Sequence, residues 1–159
     1  MKNPCASNSG QFIDPADYIR PVGSKRYKHG HISKRTQKKL VQYGKKLFND
    51  PSLSGNGISC SSCHATDHLF KASFATPYPH KVQMTADFSR YQKPVELEEF
   101  VQFCMLKPMA SKAFPWKSKE LAALTAYMEE KKHKPFMQMA MANPCALKHR
   151  GAMKNPCAM

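Results

Sequence analysis

The chain has 159 residues, of which 42% are hydrophobic, and this length suffices for one domain with a buried core and flanking segments. Lysine and arginine together number 25 against 11 aspartates and glutamates, which gives a formal net charge of +14. No stretch approaches the roughly 18 consecutive apolar residues of a membrane span, and the usual nucleic-acid-binding motifs are absent. The composition therefore argues against both a membrane-spanning protein and a nucleic-acid-binding protein.

The N-terminal third of the chain carries a concentration of positive charge. Between Arg20 and Lys46 there is no acidic residue. A basic face of this kind attracts acidic partners and speeds their encounter at low salt. We expect either an acidic partner or a basic face that is simply solvated.

Residues 1–32 are predicted to be an extended N-terminal arm, because they contain several X-Pro steps and no sustained periodicity. The first helix is predicted from about Ser33 to Phe48. Ser33 is a favourable N-cap, and apolar residues recur behind it at helical spacing. The helix should end before Asn49-Asp50-Pro51, since the residue before a proline disfavours helix.

The middle of the chain alternates between loops and helices. Residues 51–59 are predicted to be a turn-rich loop. Residues 65–93, called the wrap below, are predicted to be a long aromatic-rich segment that wraps around a ligand and contains at most one short helix. A second helix is predicted from about Val95 to Leu106 and a loop from Pro108 to Lys117. A third helix should begin at the N-cap Ser118 and end near residue 134, where basic residues suit a C-terminus.

Residues 135–159 are predicted to be an irregular tail rich in methionine. Asn-Pro-Cys units end at Cys5, Cys145 and Cys157, so one lies in the N-terminal arm and two lie in this tail. Disulfides within or between chains are one interpretation, because the four cysteines outside the motif described next are an even number. Soft-metal binding by thiols and thioethers and a low-complexity tail without a separate role are the others.

The most specific motif is Cys60-Ser61-Ser62-Cys63-His64, the CxxCH pattern of c-type haem attachment. Two thiols at this spacing can add to the two vinyl groups of one haem, and the adjacent imidazole of His64 then reaches the iron. A zinc site would need a second Cys or His pair at matched spacing, and none is evident. A thioredoxin-like pair would need a βαβ pattern around it. We therefore predict one haem c, bound through Cys60, Cys63 and His64.

The sequence around this motif resembles the start of a class I cytochrome c. The resemblance covers roughly residues 35–132 and includes the run Gly44-Lys45-Lys46-Leu47-Phe48 before the motif. It implies an all-α, cytochrome c-like domain, here residues 33–134, of about three main helices around the haem. It also implies that the first and last helices cross closely at Gly44, with Tyr127 as the packing partner.

The second axial ligand of the iron is less clearly marked. Met109 lies in the loop between the second and third predicted helices, where class I cytochromes place their methionine ligand. Cys104 and Met105 are close competitors, and a histidine, a lysine or a vacant position remain open. The segments Cys104–Met109 and Trp116–Leu121 resemble haem domains of bacterial sulfur-oxidising cytochromes, thiosulfate dehydrogenase-like proteins among them, some of which use a cysteine ligand.

These observations predict a periplasmic electron carrier rather than an enzyme, with a basic face that attracts an acidic redox partner. A haem subunit or enzyme acting on sulfur compounds is the first alternative, and a metal-handling protein that uses the NPC units is the second. Because c-type cytochromes receive their haem outside the cytoplasm and residues 1–6 lack an apolar core, we expect an exported chain whose signal peptide is already removed. Cys5, Cys145 and Cys157 are candidates for contacts between chains.

Overall fold

The computed structural model describes residues 11–25, 27, 33–66 and 69–147. Its α-helices are α1 (Lys34–Phe48), α2 (Cys60–His64), α3 (Gln83–Ser89), α4 (Leu97–Leu106), α5 (Lys119–Met128) and α6 (Lys134–Ala142). A π-helical turn, Glu129–His133, joins α5 to α6. Extended pairing within the described ranges is limited to one isolated antiparallel bridge between His80 and Val95. The prediction of an all-α fold is confirmed.

Helix α1 begins and ends where the sequence predicts. The hydroxyl of Ser33 accepts a hydrogen bond from the amide of Thr36 at 3.2 Å and so caps the first turn. The helix buries a face that includes Leu40, Leu47 and Phe48. The lysines between these positions are exposed, so one face of α1 packs on the core and the other presents positive charge.

Helices α1 and α5 cross in close contact at Gly44. A Cβ atom built on Gly44 would lie 2.0 Å from the carbonyl oxygen of Ala123 and 2.6 Å from the Cβ of Tyr127. Only glycine allows the two backbones to approach this closely. The prediction that Gly44 permits the crossing and packs against Tyr127 is confirmed, and Phe48 adds an aromatic contact with Tyr127 at 5.1 Å between ring centroids.

The buried amide side chain of Gln102 anchors the loop between α4 and α5. Gln102, fully buried on α4, donates from Nε2 to the carbonyl of Phe114 at 2.6 Å and accepts from the amide of Phe114 at 2.8 Å. Both backbone groups of Phe114 are thereby satisfied without a strand partner. The side chain of Gln102 consequently anchors this loop to the core at Phe114.

The predicted N-terminal arm packs on the domain over its described part. Tyr18 is fully buried, its hydroxyl bonds to Ser89 Oγ, and its ring meets Phe103 edge-on at 5.1 Å. Ile13 is also buried, and its amide donates to the carbonyl of Phe88. Sequence patterns did not predict this packing, because two isolated apolar residues have no detectable period.

The predicted irregular tail is wrong for residues 135–142, which belong to α6. Pro135 lies in the first turn of that helix, where its missing amide hydrogen breaks no hydrogen bond. Phe136 and Ala140 are buried against Phe70 and Phe74. Cys145 follows in a 3-10 turn, Pro144–Leu147, whereas Cys5 and Cys157 lie outside the described residues.

None of the helices in the described ranges is both long enough and apolar enough to cross a bilayer.

Candidate haem site

The CxxCH motif forms the short helix α2, and its N-terminal end is fixed by serine hydroxyls. The amide of Ser59 donates to Ser62 Oγ at 3.0 Å, and the hydroxyl of Ser59 lies 2.8 Å from that of Ser61. Ser61 and Ser62 are the two variable positions of the motif. They therefore hold the turn that sets the spacing of Cys60 and Cys63.

The imidazole of His64 lies at the end of a stack of aromatic rings. It stacks on Phe70 with 4.2 Å between centroids and 8° between planes, and Phe70 stacks on Phe74 at 4.1 Å. Phe136 of α6 meets the rings of Phe70 and Phe74 edge-on. The wrap after the motif and helix α6 together build an apolar wall beside His64.

Cys104 of α4 interacts electrostatically with Cys60 of the motif. Burial raises the pKa of the Cys60 thiol to about 11, and burial together with the nearby Cys60 raises the pKa of Cys104 to about 12. Cys104 in turn contributes to the raised pKa of Tyr78, whose main cause is burial. Cys104 is therefore within electrostatic range of both the Cys60 thiol and the Tyr78 phenol.

The loop that carries Met109 is tied to the loop that precedes the motif. The amide of Gly55 donates to the carbonyl of Met109 at 2.9 Å, and Asn56 Nδ2 donates to the carbonyl of Pro108 at 3.0 Å. Met109 itself is 2% exposed. These bonds hold the candidate methionine ligand in the same part of the fold as α2.

Three further side chains of types that can bind iron have identifiable surroundings. Lys107 Nζ donates to the carbonyl of Gln11 at 3.1 Å and lies 4.5 Å from the ring centroid of Phe88, so it fastens the N-terminal segment. His80 Nδ1 lies 3.3 Å from the carbonyl of Pro77. Met105 is buried like Met109, and it remains a competitor by position alone.

Sequence reasoning missed two buried side chains that contact the wrap and α2. Lys132 Nζ donates to the carbonyl of His64 at 3.2 Å, and His133 Nε2 lies 3.0 Å from the carbonyl of Thr76. Both belong to the basic run that we interpreted only as a favourable helix end. Lys132 lies four residues after the apolar Met128 on the same helical run, and this spacing is a signal that could have placed it on the inner face.

The donor set fits a haem c. Two cysteines and a histidine share one turn beside an aromatic wall, Cys104 interacts electrostatically with Cys60, and the Met109 loop is bonded to the loop before the motif. Cys60 and Cys104 have free thiols, whereas the sulfur of Cys63 is disulfide-bonded in this structure. Attachment of haem through thioethers requires the reduced thiol at both motif positions. The free thiol of Cys104 also gives no support to a disulfide at that position.

A zinc-like or other multidentate metal centre finds no support in the described ranges, where no group of three or more His, Cys, Asp or Glu side chains converges. The prediction of metal binding by the NPC units stays a prediction, because Cys5 and Cys157 lie outside those ranges.

The all-α fold, the close α1–α5 crossing and the CxxCH turn define a c-type cytochrome domain. A family model of the SoxA/TsdA cytochrome c domain matches residues 43–134, which is more than half of the chain. The chain belongs to this family, and its predicted resemblance to haem domains of sulfur-oxidising cytochromes is confirmed. Haem-based electron transfer and covalent attachment of haem c follow from the family. Searches of curated proteins and of solved structures found no significant match.

Proposed function

We propose that this protein is a periplasmic electron carrier that holds a single haem c through Cys60 and Cys63, with His64 as the proximal ligand. The observation that carries the proposal is the placement of the CxxCH turn. It lies against the aromatic wall on one side, and its Cys60 is within electrostatic range of Cys104. When bound, the haem supplies a one-electron iron couple. The protein contributes attachment, axial ligation and an apolar aromatic wall beside His64.

Covalent attachment is tested by expressing the full chain with a cytochrome c maturation system and separating it on a denaturing gel. Haem should remain with the wild-type polypeptide. The Cys60→Ala and Cys63→Ala variants should retain less haem or none. Cys104→Ala is the matched control, since this cysteine lies outside the motif, and it should keep its haem. Loss of haem from the wild-type chain under denaturing conditions would refute the attachment.

Met109 is proposed as the sixth iron ligand. Its loop is ordered by Gln102 and held to Gly55, so a thioether at this position has little conformational freedom to lose. A methionine ligand opposite histidine raises the reduction potential. Met109→Ala should therefore lower the potential, whereas Met105→Ala, which also removes a buried methionine from this segment, should leave the axial ligation unchanged.

A second candidate function rests on Cys104. Its thiol is free, half-buried and within electrostatic range of Cys60, and the family includes cytochromes that act on sulfur compounds. A thiolate from Cys104 would replace Met109 as ligand and would favour an enzyme or enzyme subunit. A thiolate-type spectrum that disappears in Cys104→Ala, together with thiosulfate turnover by the isolated chain, would favour this function over a simple carrier.

The exposed face of α1 is proposed as the docking surface for an acidic redox partner. It carries only basic charges: Lys34, Arg35, Lys38, Lys39, Lys45 and Lys46, all exposed. Positive charge so concentrated steers an anionic partner and raises the association rate at low ionic strength.

This docking surface is tested with the double variant Lys38→Glu/Lys39→Glu. Its control is Lys81→Glu/Lys112→Glu, which changes the net charge equally at exposed positions elsewhere. With anionic hexacyanoferrate(III) as electron acceptor, the α1 variant should lose more rate and more salt dependence than the control. Equal losses in both variants would show that only net charge matters.

A further inference from the structure

Lys132 is an unusual charged residue, because it is 8% exposed within the last helical run of the domain. Its ammonium group donates to the carbonyl of His64 at 3.2 Å and, more weakly, to the carbonyl of Ala65 at 3.4 Å. It also lies 5.3 Å from the ring centroid of Phe48. Burial of an ammonium group costs free energy unless hydrogen bonds and π contacts compensate it, so these contacts explain why the charge is held here.

The π-helical turn Glu129–His133 turns two consecutive residues inward. Lys132 reaches the end of α2, and the neighbouring His133 reaches the carbonyl of Thr76. In a regular α-helix adjacent residues point about 100° apart. We interpret the wider π-helical turn as a local change of helix geometry that lets both side chains reach inward. Such insertions are often found at functional sites.

Helix α2 is consequently fixed at both ends. Ser59 and Ser62 hold its beginning, and Lys132 holds the backbone of His64 at its end. Since the carbonyl of His64 belongs to the same residue as the imidazole, a bond to this carbonyl restrains the position of the ring. Outer contacts of this type orient metal ligands and tune the metal.

We propose that Lys132 is a positioning residue that also sets the electrostatic environment of the haem iron. It anchors the carboxyl end of the CxxCH turn, and its buried positive charge beside His64 favours the reduced iron over the more positive oxidised iron. A charge in a partly desolvated site acts more strongly than one in water. This inference rests on the proposed function, because it requires haem attached at Cys60 and Cys63.

The experiment compares the haem-loaded wild-type chain with Lys132→Met, Lys132→Gln and Lys132→Arg by spectroelectrochemical titration. We expect the equilibrium constant for reduction to fall about tenfold in the Met and Gln variants, which is 59 mV for a one-electron couple. Lys132→Arg keeps the charge and should retain the wild-type potential. Lys131→Met removes an exposed charge from the same π-helical turn and is the matched control, with a much smaller shift.

The anchoring role is read separately, from the ferric electron paramagnetic resonance g values. Lys132→Met should broaden or shift them, whereas Lys132→Arg should not. A wild-type potential and wild-type g values in Lys132→Met would overturn the inference, and a wild-type potential in Lys132→Gln would overturn its electrostatic part. If Lys132→Met does not load haem, the Gln and Arg variants make the same comparison. Absence of haem from the wild-type chain would instead refute the proposed function.

Discussion

Replacing Gly44 with alanine tests the helix crossing on which the domain is built. The added methyl carbon would lie 2.0 Å from the carbonyl oxygen of Ala123, and ordinary contact begins at 3.4 Å. Helices α1 and α5 must therefore separate by roughly 1.4 Å along this direction, because the obstructing atom belongs to the backbone and cannot rotate away.

The expected magnitude follows from two opposing terms. Overpacking of a close contact costs about 1–3 kcal/mol and occasionally more, whereas alanine is favoured over glycine in a helix by about 1 kcal/mol. With a backbone atom in the way, the first term should be near its upper end. We expect Gly44→Ala to lower the free energy of unfolding by about 2 kcal/mol.

Chemical denaturation of the full-length chain, followed by circular dichroism, measures this change. Gln42→Ala is the control, since Gln42 is exposed on the same helix and its replacement should be neutral or slightly stabilising. If Gly44→Ala were as stable as wild type or more stable, the crossing would not be as close as described, and the argument from glycine would be refuted.

Three further changes test other parts of the fold. Gln102→Leu leaves both backbone groups of Phe114 unpaired, so we expect a loss of about 2–4 kcal/mol in denaturant titrations; an unchanged midpoint would mean that water replaces the amide. Tyr18→Phe removes the bond to Ser89 and should cost about 1 kcal/mol, whereas no loss would show that this bond adds nothing. Burial lowers the pKa of His80 below its ordinary 6.5, so the unfolded chain binds a proton more readily and stability should fall as the pH drops through 6.5. A pH series should show a smaller fall for His80→Gln, and an identical fall in both proteins would contradict the shift.

Local signals explain how much of the fold was predictable. The N-caps at Ser33 and Ser118 are confirmed, because a serine hydroxyl that satisfies a free amide depends on sequence alone. The crossing at Gly44 was predicted from the family resemblance and is confirmed by geometry.

Features that depend on distant partners were not predictable in the same way. Helix α6 was missed because the basic run before Pro135 was interpreted as a helix end, although a proline is tolerated in the first turn of the helix that follows. The burial of Tyr18 depends on Ser89 and Phe103, and no local pattern brings them together. At the site, the CxxCH motif is recognisable from spacing, whereas the bond from Lys132 to His64 depends on tertiary packing.

Attachment of haem through both motif cysteines is tested most directly by the intact mass of the full chain, matured with a cytochrome c assembly system and measured under denaturing conditions. The account predicts a mass that equals the polypeptide plus one haem, with the increment lost when Cys60 and Cys63 are both replaced by alanine. A wild-type mass that equals the polypeptide alone would contradict it.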